Sequence, residues 1–401
     1  MDFLVGIVLA IIASWILAKA CDGFEAAADY LGRNLGEGTK GATINAIGSS
    51  MPELLVTSIY LFAYMDTTGF AGGIGTTAGS AVFNAMVIPA LVILFVLLKN
   101  RSTKIVLSKA VVLRDGLTLI FAEFFLIYFV GNKLEWFHGL ALMSIYVFYA
   151  GWMVYRHKRA VALGLIVEKD DDDDDDDEEE EQTGSRLIAI LKLDFEYAVV
   201  GNNESTGGNS MALLATATLF IAGASAILVH SCEIIGKTIG INGYFVAVIL
   251  AAAASSIPDT ILSVKDAKKG NYDDAVANAL GSNIFDICFA LGAPLFIFTL
   301  IYGPIIMSPE TAGDIVELRI LLLVLTIITF ILFLAYKQMT KFLAIILLSM
   351  YVMFIVFVAA RAYKVPFAMK IAKELRHIDK VVFNGNPIDI SEVKKSEVKK
   401  N

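Results

Sequence analysis

Long apolar segments alternate with short polar ones along most of the chain. A membrane-spanning helix needs about 20 mostly apolar residues. On that rule the sequence predicts an all-α membrane protein with ten transmembrane helices. The predicted spans lie near residues 3–20, 41–64, 72–98, 113–130, 134–155, 211–235, 243–264, 275–301, 316–336 and 342–361.

One long polar stretch divides these spans into two sets of five. We therefore expect a first five-helix membrane repeat at 1–155 and a second at 211–363. A cytoplasmic acidic linker at 156–210 joins them, and a C-terminal tail follows at 364–401. Because five is an odd number, the second repeat enters the membrane from the opposite side, and the two repeats are inverted in topology.

Basic residues between the spans predict the orientation, since lysine and arginine concentrate in cytoplasmic loops. They cluster after the third, fifth and seventh spans and between the ninth and tenth. Odd-numbered spans therefore end in the cytoplasm, and the N-terminus is outside. The basic tail from Lys364 conflicts with this rule, because the same count places it outside. The apolar segment from Phe3 has no basic residue before it, and we interpret it as a retained first span.

Composition agrees with a multi-pass protein of the cell membrane. Hydrophobic residues make up 57% of the chain and charged residues 18%. The net charge of −8 comes from twelve consecutive acids at 170–181, and without them it is −8 + 12 = +4. No basic excess indicates nucleic-acid binding. The three cysteines and four histidines lack the spacing of a zinc or copper site.

A carboxylate follows a proline in one apolar segment of each half. The first half reads Ser49-Ser50-Met51-Pro52-Glu53, and the second reads Ser255-Ser256-Ile257-Pro258-Asp259. An ionisable group at the bilayer centre costs about 2.5–3.5 kcal/mol or more unless it is paired, solvated or a ligand. Two such groups at matched positions predict the floor of a cation site.

A second motif follows each carboxylate. It reads Gly79-Ser80-Ala81-Val82-Phe83-Asn84 in the first half and Gly281-Ser282-Asn283-Ile284-Phe285-Asp286 in the second. Residues three or four apart share one helix face, so each motif presents a stripe of oxygen donors. Hydroxyl, amide and carboxylate oxygens suit Na⁺, K⁺, Mg²⁺ or Ca²⁺. Pro52 and Pro258 also weaken the helix before them, which frees carbonyls near Ala46 and Ala252.

These motifs closely resemble the two alpha repeats of the cation/calcium antiporter superfamily, and within it the sodium/calcium exchangers, including the potassium-dependent branch. The resemblance implies that Glu53 and Asp259 are the central Ca²⁺ ligands. It also implies adjoining Na⁺ sites, to which the carbonyls of Ala46 and Ala252 contribute. The side chains of those Na⁺ sites would be Ser49, Ser50, Ser80, Asn84, Ser255, Ser256, Ser282 and Asp286. Family members often have Thr where Ser49 and Ser255 stand.

The expected function is a secondary active antiporter that exchanges Ca²⁺ for Na⁺ by alternating access. Two alternatives stay open, a proton-coupled Ca²⁺ antiporter and a Na⁺/Mg²⁺ exchanger, and K⁺ is a further candidate ion. We expect no enzymatic activity, because neither a Gly-x-Ser-x-Gly nor a Gly-x-Gly-Asp element occurs. The expected partners are the transported ions and the lipid bilayer, with no cofactor. The sequence leaves the oligomeric state open.

Overall fold

The structure is a computed structural model that describes residues 2–31, 46–65, 67–98, 105–129, 131, 133–163, 186–203, 205–336 and 338–383. The acidic run at 170–181 and the tail beyond 383 lie outside the described residues. Nearly all of the described chain is helical, as the hydropathy pattern predicts.

The first half contains the helices that the opening apolar segments form. They are α1 (Asp2–Leu31), α2 (Ala46–Ser49), α3 (Met51–Tyr64), α4 (Thr67–Leu98), α5 (Lys109–Phe129) and α6 (Trp136–Ala162), with strand β1 (Lys133–Leu134) before α6. Two short helices precede the second half. They are α7 (Arg186–Lys192) and α8 (Phe195–Val199).

The second half begins with α9 and contains two π-helical turns. Its elements are α9 (Gly207–Ile239), α10 (Gly243–Val246), the π-turn Ala247–Ala251, α11 (Ala252–Ser255), α12 (Ile257–Lys269), α13 (Tyr272–Phe285), the π-turn Asp286–Ala290, α14 (Gly292–Tyr302), β2 (Ile305–Ile306), α15 (Pro309–Ala335), α16 (Lys341–Ala362) and α17 (Pro366–Phe383). Both π-turns lie next to the predicted site, and such turns are frequent at functional sites in proteins.

Within the described residues, eight helical segments are long and apolar enough to cross a membrane. Seven of the ten predicted spans lie inside them with similar limits, and the first extends from Asp2 to Ala28. Two predicted spans are not among the eight. Helix α3 is only 14 residues long, and α5 carries Lys109, Arg114, Asp115 and Glu123.

Proline breaks the helix at the matched place in each half. Pro52 and Pro258 lie in the first turn of α3 and α12, and the residues before those helices, Ser50 and Ser256, have φ/ψ of −95°/7° and −82°/2°. Proline lacks the N–H that a continuous helix needs. The serine pair therefore ends one helix, and the acid begins the next.

The buried apolar side chains form two large, separate clusters. One joins α1 and α9 with parts of α3 and of the segment 246–254. The other joins α4, α5, α6, α13, α15 and α16. Helices α1 and α9 pack along each other, and the Ser231 hydroxyl donates to the Gly6 carbonyl at 2.8 Å. The predicted cation motifs lie where the two clusters meet.

Two short backbone pairings join loops from the two halves. Strands β1 and β2 pair antiparallel, with Lys133 opposite Ile306. Ile105 pairs with Met339. The loop after α4 therefore meets the loop after α15, and the loop after α5 meets the loop after α14.

Candidate cation-binding site

The structure brings the two sequence motifs of each half together in one buried cluster. All twelve predicted residues are within it and are 0–5% exposed: Ala46, Ser49, Ser50, Glu53, Ser80, Asn84, Ala252, Ser255, Ser256, Asp259, Ser282 and Asp286. Side chains 233 residues apart in sequence are in contact, as between the hydroxyls of Ser49 and Ser282 at 3.4 Å.

Ser80 on α4 is the centre of the cluster. Its hydroxyl oxygen lies 3.1 Å from Glu53 Oε1 and 3.2 Å from Asp286 Oδ2. It also lies 2.8 Å from the Ser256 hydroxyl and accepts a long hydrogen bond of 3.4 Å from Asn84 Nδ2. One hydroxyl therefore links carboxylates from both halves of the chain.

Asp259 on α12 is held by two donors from different halves. Ser282 donates to Oδ1 at 2.7 Å, and Asn84 Nδ2 donates to Oδ2 at 3.0 Å. Ser49 also lies next to Asp259, and Ser255 lies next to Glu53. Each acid thus contacts a hydroxyl from its own half and a polar group from the other half.

Several oxygens in the cluster accept no hydrogen bond from the protein. They are Glu53 Oε2, Asp286 Oδ1 and Asn84 Oδ1, and all are buried. A buried polar atom without a partner is unfavourable by about 1–3 kcal/mol, and more if it is charged. Cations are the partners that carboxylate and amide oxygens of this kind bind. The donor set therefore fits a hard cation.

Hydroxyl and carbonyl ligands are needed as well as acids. Among the described residues, no three acidic, histidine or cysteine side chains converge closely enough to hold a metal ion by themselves. The predicted main-chain ligands already take part in helix bonds. The Ala46 carbonyl accepts from Ser50 N at 3.1 Å, and the Ala252 carbonyl accepts from Ser256 N, Ser255 Oγ and Ser256 Oγ at 2.9–3.2 Å. Whether these two carbonyls bind ions stays a prediction.

Asn283 is a buried residue that sequence reasoning did not include. Its Nδ2 donates to the Ala81 carbonyl at 2.9 Å and ties α13 to α4. The signal was present, because Asn283 and Ala81 occupy the same position of the repeated motif. The small side chain of Ala81 leaves its backbone accessible to the asparagine from the other half.

Glu123 is a buried acid outside the cluster. It is 1% exposed and accepts a hydrogen bond from Thr326 at 2.6 Å, between α5 and α15. It has no counterpart in the second half, and it lies on α5, outside the repeated motifs. Burial of an acid alone therefore does not define the site.

Two segments of the chain match one protein family. The model of the sodium/calcium exchanger protein family matches residues 3–155 and 209–360, which together make up most of the sequence. The chain belongs to the sodium/calcium exchanger family. Its members are ion exchangers, so the chain is an integral multi-pass membrane protein and its family is one of transporters.

Curated relatives match the chain over a short region. Sodium/potassium/calcium exchanger 3 of Rattus norvegicus is 41% identical over 90 residues, which is 22% of this chain and 14% of the relative. Sodium/potassium/calcium exchanger 4 of Homo sapiens is 42% identical over 95 residues, which is 23% of this chain and 15% of the relative. The matched part therefore spans about one seventh of these relatives.

Solved structures match the chain over nearly its full length. The sodium-calcium exchanger NCX_Mj, soaked with 100 mM Na⁺ and 10 mM Sr²⁺, has a TM-score of 0.53 at 19% identity and covers 88% of this chain and 98% of its own. The H⁺/Ca²⁺ exchanger CAX has a TM-score of 0.56 at 12% identity and covers 93% of this chain and 92% of its own. At these sequence identities, the structural similarity shows a shared fold and nothing more.

Proposed function

We propose that this exchanger carries Ca²⁺ in one direction and Na⁺ in the other, by alternating access to the buried cluster. The observation that supports it is the Ser80 hydroxyl, which bonds to Glu53 and Asp286 from different halves, while each of these carboxylates keeps one buried oxygen without a hydrogen bond. Asp259 joins the cluster through Asn84. The Na⁺ and Ca²⁺ named for the relatives and for NCX_Mj agree with this donor set.

Charge balance explains why Ca²⁺ and Na⁺ would replace each other in the cluster and not bind together. Glu53 and Asp259 supply two negative charges, which neutralise one Ca²⁺ or two Na⁺. Like ions about 4 Å apart repel by about 4 kcal/mol per pair of unit charges at an effective dielectric constant of 20. Ca²⁺ and Na⁺ therefore exclude each other from the cluster. Asp286 provides a third carboxylate, which would hold a third Na⁺, a K⁺ or a proton.

The described contacts support a crossing by α5, one of the two spans outside the set of eight. Ile105 pairs with Met339 at one end of the bundle, and β1 pairs with β2 at the other. Helix α15 crosses between Ile306 and Met339. Because α5 joins the same two ends in the first half, α5 crosses as well.

A second set of contacts supports a crossing by α2 and α3. Lys265 at the end of α12 pairs with Asp22 near the end of α1 at 3.2 Å, and Lys268 lies 5.8 Å from the centre of the Phe95 ring near the end of α4. Asp22 and Phe95 thus lie at the same end. Helix α4 begins at the opposite end, because it crosses the membrane and finishes near Phe95. The segment between α1 and α4, which contains α2 and α3, must therefore cross once as well. With the eight long apolar helices, these two crossings give ten spans in two inverted five-helix repeats. The charge rule places the N-terminus outside.

The two apolar clusters supply the moving parts of the proposed cycle. The cluster of α1 and α9 is separate from the larger one, and the ion cluster lies between them. Rocking of α1 and α9 against the other helices would expose the site to each side in turn.

A proton-coupled exchange is the second candidate, because a carboxylate with an uncommitted oxygen can bind a proton in place of Na⁺, and the CAX fold matches as well as NCX_Mj. The test is uptake of radiolabelled Ca²⁺ into proteoliposomes under Na⁺, K⁺ and pH gradients imposed separately. We expect uptake driven by Na⁺ at constant pH. Uptake driven by the pH gradient without Na⁺ would support the alternative, and competition by Mg²⁺ would indicate Na⁺/Mg²⁺ exchange.

A further inference from the structure

A polar stripe on α13 continues beyond the ion cluster. Asp274, Asn278, Ser282 and Asp286 follow each other at intervals of four residues, so neighbours lie one turn, or about 6 Å, apart on one face. Ser282 and Asp286 belong to the cluster described above. Asn278 is buried, and Asp274 is exposed at the end where α12 and α13 meet near Gly270. The stripe therefore leads from the cluster toward water.

Asn278 has a buried oxygen that the fold does not use. The residue is 3% exposed, and its Nδ2 donates to Ser263 Oγ at 3.2 Å and lies 3.5 Å from the Asp259 carbonyl oxygen. That carbonyl can only accept, so the amide nitrogen faces it and Oδ1 faces away. Oδ1 is buried and accepts no hydrogen bond. An amide oxygen in this setting is a ligand for a hard cation.

The matching place in the first half is closed. Counting from Glu53 and Ser80, the residues equivalent to Ser263 and Asn278 are Thr57 and Thr76. Thr76 donates to the Gly72 carbonyl of its own helix at 3.0 Å, whereas the Thr57 hydroxyl is buried without a hydrogen-bond partner. A Cβ at Gly72 would lie 2.6 Å from the Tyr60 ring, so α3 and α4 are in direct contact there. Tyr60 is 5% exposed.

Charge follows the same asymmetry. The second-half residues equivalent to Tyr60 and Gly72 are Asp266 and Asp274. Two of the lysines near Gly270 are directed elsewhere, since Lys265 pairs with Asp22 and Lys268 lies over the Phe95 ring. Asp274 also interacts with Arg114. Charged side chains of both signs therefore lie near Gly270, whereas an aromatic side chain lies at the matching place in the first half.

We propose that Asn278, Ser263 and the main-chain carbonyl of Asp259 form a relay site for a partly dehydrated Na⁺ or Ca²⁺ between water at the Gly270 end and the buried cluster. This inference rests on the proposed cation transport. The relay site supplies oxygen ligands one turn before the carboxylates, so that the ion exchanges its water for protein oxygens in two steps. The Tyr60–Gly72 contact closes the matching position on the other side.

Access to the relay site is tested by thiol labelling, which requires no transport. Cys21, Cys232 and Cys288 are buried and are first replaced by alanine, with folding checked by size-exclusion chromatography. Asn278→Cys and Ser263→Cys are then compared with Thr57→Cys and Thr76→Cys, using a small cationic methanethiosulfonate. We expect the first pair to react at least about tenfold faster, since thiol reactivity follows exposure and thiolate character. Equal rates in the two pairs would overturn the proposal.

Ion binding at the relay site is tested by the kinetics of Asn278 variants in the full chain. Asn278→Ala removes the oxygen and should raise the KM for Ca²⁺ about tenfold with a smaller effect on the maximal rate, whereas Asn278→Asp should restore a low KM. A structural role alone predicts that both variants lower the maximal rate and leave the KM unchanged, which would contradict the proposal. If the wild-type chain moves no Ca²⁺, the proposed function fails, while the labelling result still decides the route.

Discussion

At the scale of single residues, the site depends on charge and on one hydroxyl. Glu53 and Asp259 are fully buried and come from different halves of the chain. Ser80 bonds to Glu53, Asp286, Ser256 and Asn84, and Asn84 in turn donates to Asp259. Charge at the two acids and geometry at Ser80 can therefore be changed independently.

Replacing Glu53 by Gln should abolish Na⁺-driven Ca²⁺ uptake. The substitution keeps the shape and removes one of the charges that balance Ca²⁺, and breaking a buried charge pairing costs about 3–5 kcal/mol. The measurement is uptake of radiolabelled Ca²⁺ in proteoliposomes. Glu123→Gln is the matched control, because Glu123 is equally buried and its Thr326 partner can donate to an amide oxygen as well. Normal uptake by the Glu53 variant would refute the assignment of Glu53 as a ligand.

Replacing Ser80 by Ala should weaken Ca²⁺ binding while leaving the charge of the cluster intact. A hydrogen bond to a charged group contributes about 1.5–3 kcal/mol, which corresponds to a tenfold or greater loss of affinity. Isothermal titration of the purified exchanger in detergent measures it. Ser58→Ala is the control, because the Ser58 hydroxyl donates to the Leu54 carbonyl of its own helix, away from the cluster. An unchanged affinity in the Ser80 variant would mean that the hydroxyl has no part in binding.

At the scale of helices, the site requires α4 to lie very close to the second-half segment 247–252. Gly79 makes this possible, because a Cβ there would overlap the Val248 carbonyl oxygen and lie 2.7 Å from the Ala252 Cβ. Backbone cannot move aside as a flexible side chain can. The glycine before Ser80 therefore sets the distance between the two halves of the cluster.

Replacing Gly79 by Ala should separate these helices and reduce both transport and stability. Overpacking in a tightly packed region costs about 1–3 kcal/mol. Gly151→Ala is the control, since a Cβ at Gly151 in α6 meets nothing within 4 Å and alanine favours helix over glycine by up to about 1 kcal/mol. Thermal unfolding in detergent and Ca²⁺ uptake measure the two effects. Equal behaviour of the two variants would show that the close approach at Gly79 is unimportant.

At the scale of the whole molecule, α17 is tied to the membrane helices by a buried charge cluster. Arg361 at the end of α16 donates to Glu317 Oε2 and Asp314 Oδ1, both at 2.6 Å. Arg376 of α17 donates to Glu317 Oε1 at 2.6 Å. The sequence predicts only a tail here, because the partner of Arg376 is 59 residues away along the chain.

Replacing Arg361 by Leu should strongly lower the thermal stability. It leaves Glu317, which is 3% exposed, with part of its charge uncompensated, and removing one partner of a buried ion pair costs about 3–5 kcal/mol. Lys265→Ala is the comparison, because the Lys265–Asp22 pair is exposed and such pairs contribute about 0–1 kcal/mol. The difference in apparent melting temperature in detergent checks the prediction. Similar melting temperatures would show that the cluster does not stabilise the bundle.

The sequence by itself determined the helical class, most of the spans and the chemistry of the site. The length of an apolar segment indicates whether it can cross a membrane. An acid within such a segment is costly unless it is paired, solvated or a ligand, so Glu53 and Asp259 could be identified without a structure. The repeat of the serine motifs then pointed to Ser80, Asn84, Ser282 and Asp286, and the structure places all of them in one cluster. Periodicity was sufficient here because each motif lies within one or two helical turns.

Only the tertiary structure decided which groups from the two halves meet. The bonds from Asn84 to Asp259, from Asn283 to Ala81 and from Ser80 to Ser256 join residues more than 170 positions apart. Such contacts depend on how closely helices pack, which is set by small residues such as Gly79 and not by hydropathy. The same holds for the different bonding of Asn278 and Thr76, since two similar motifs make different contacts only because different residues pack against them.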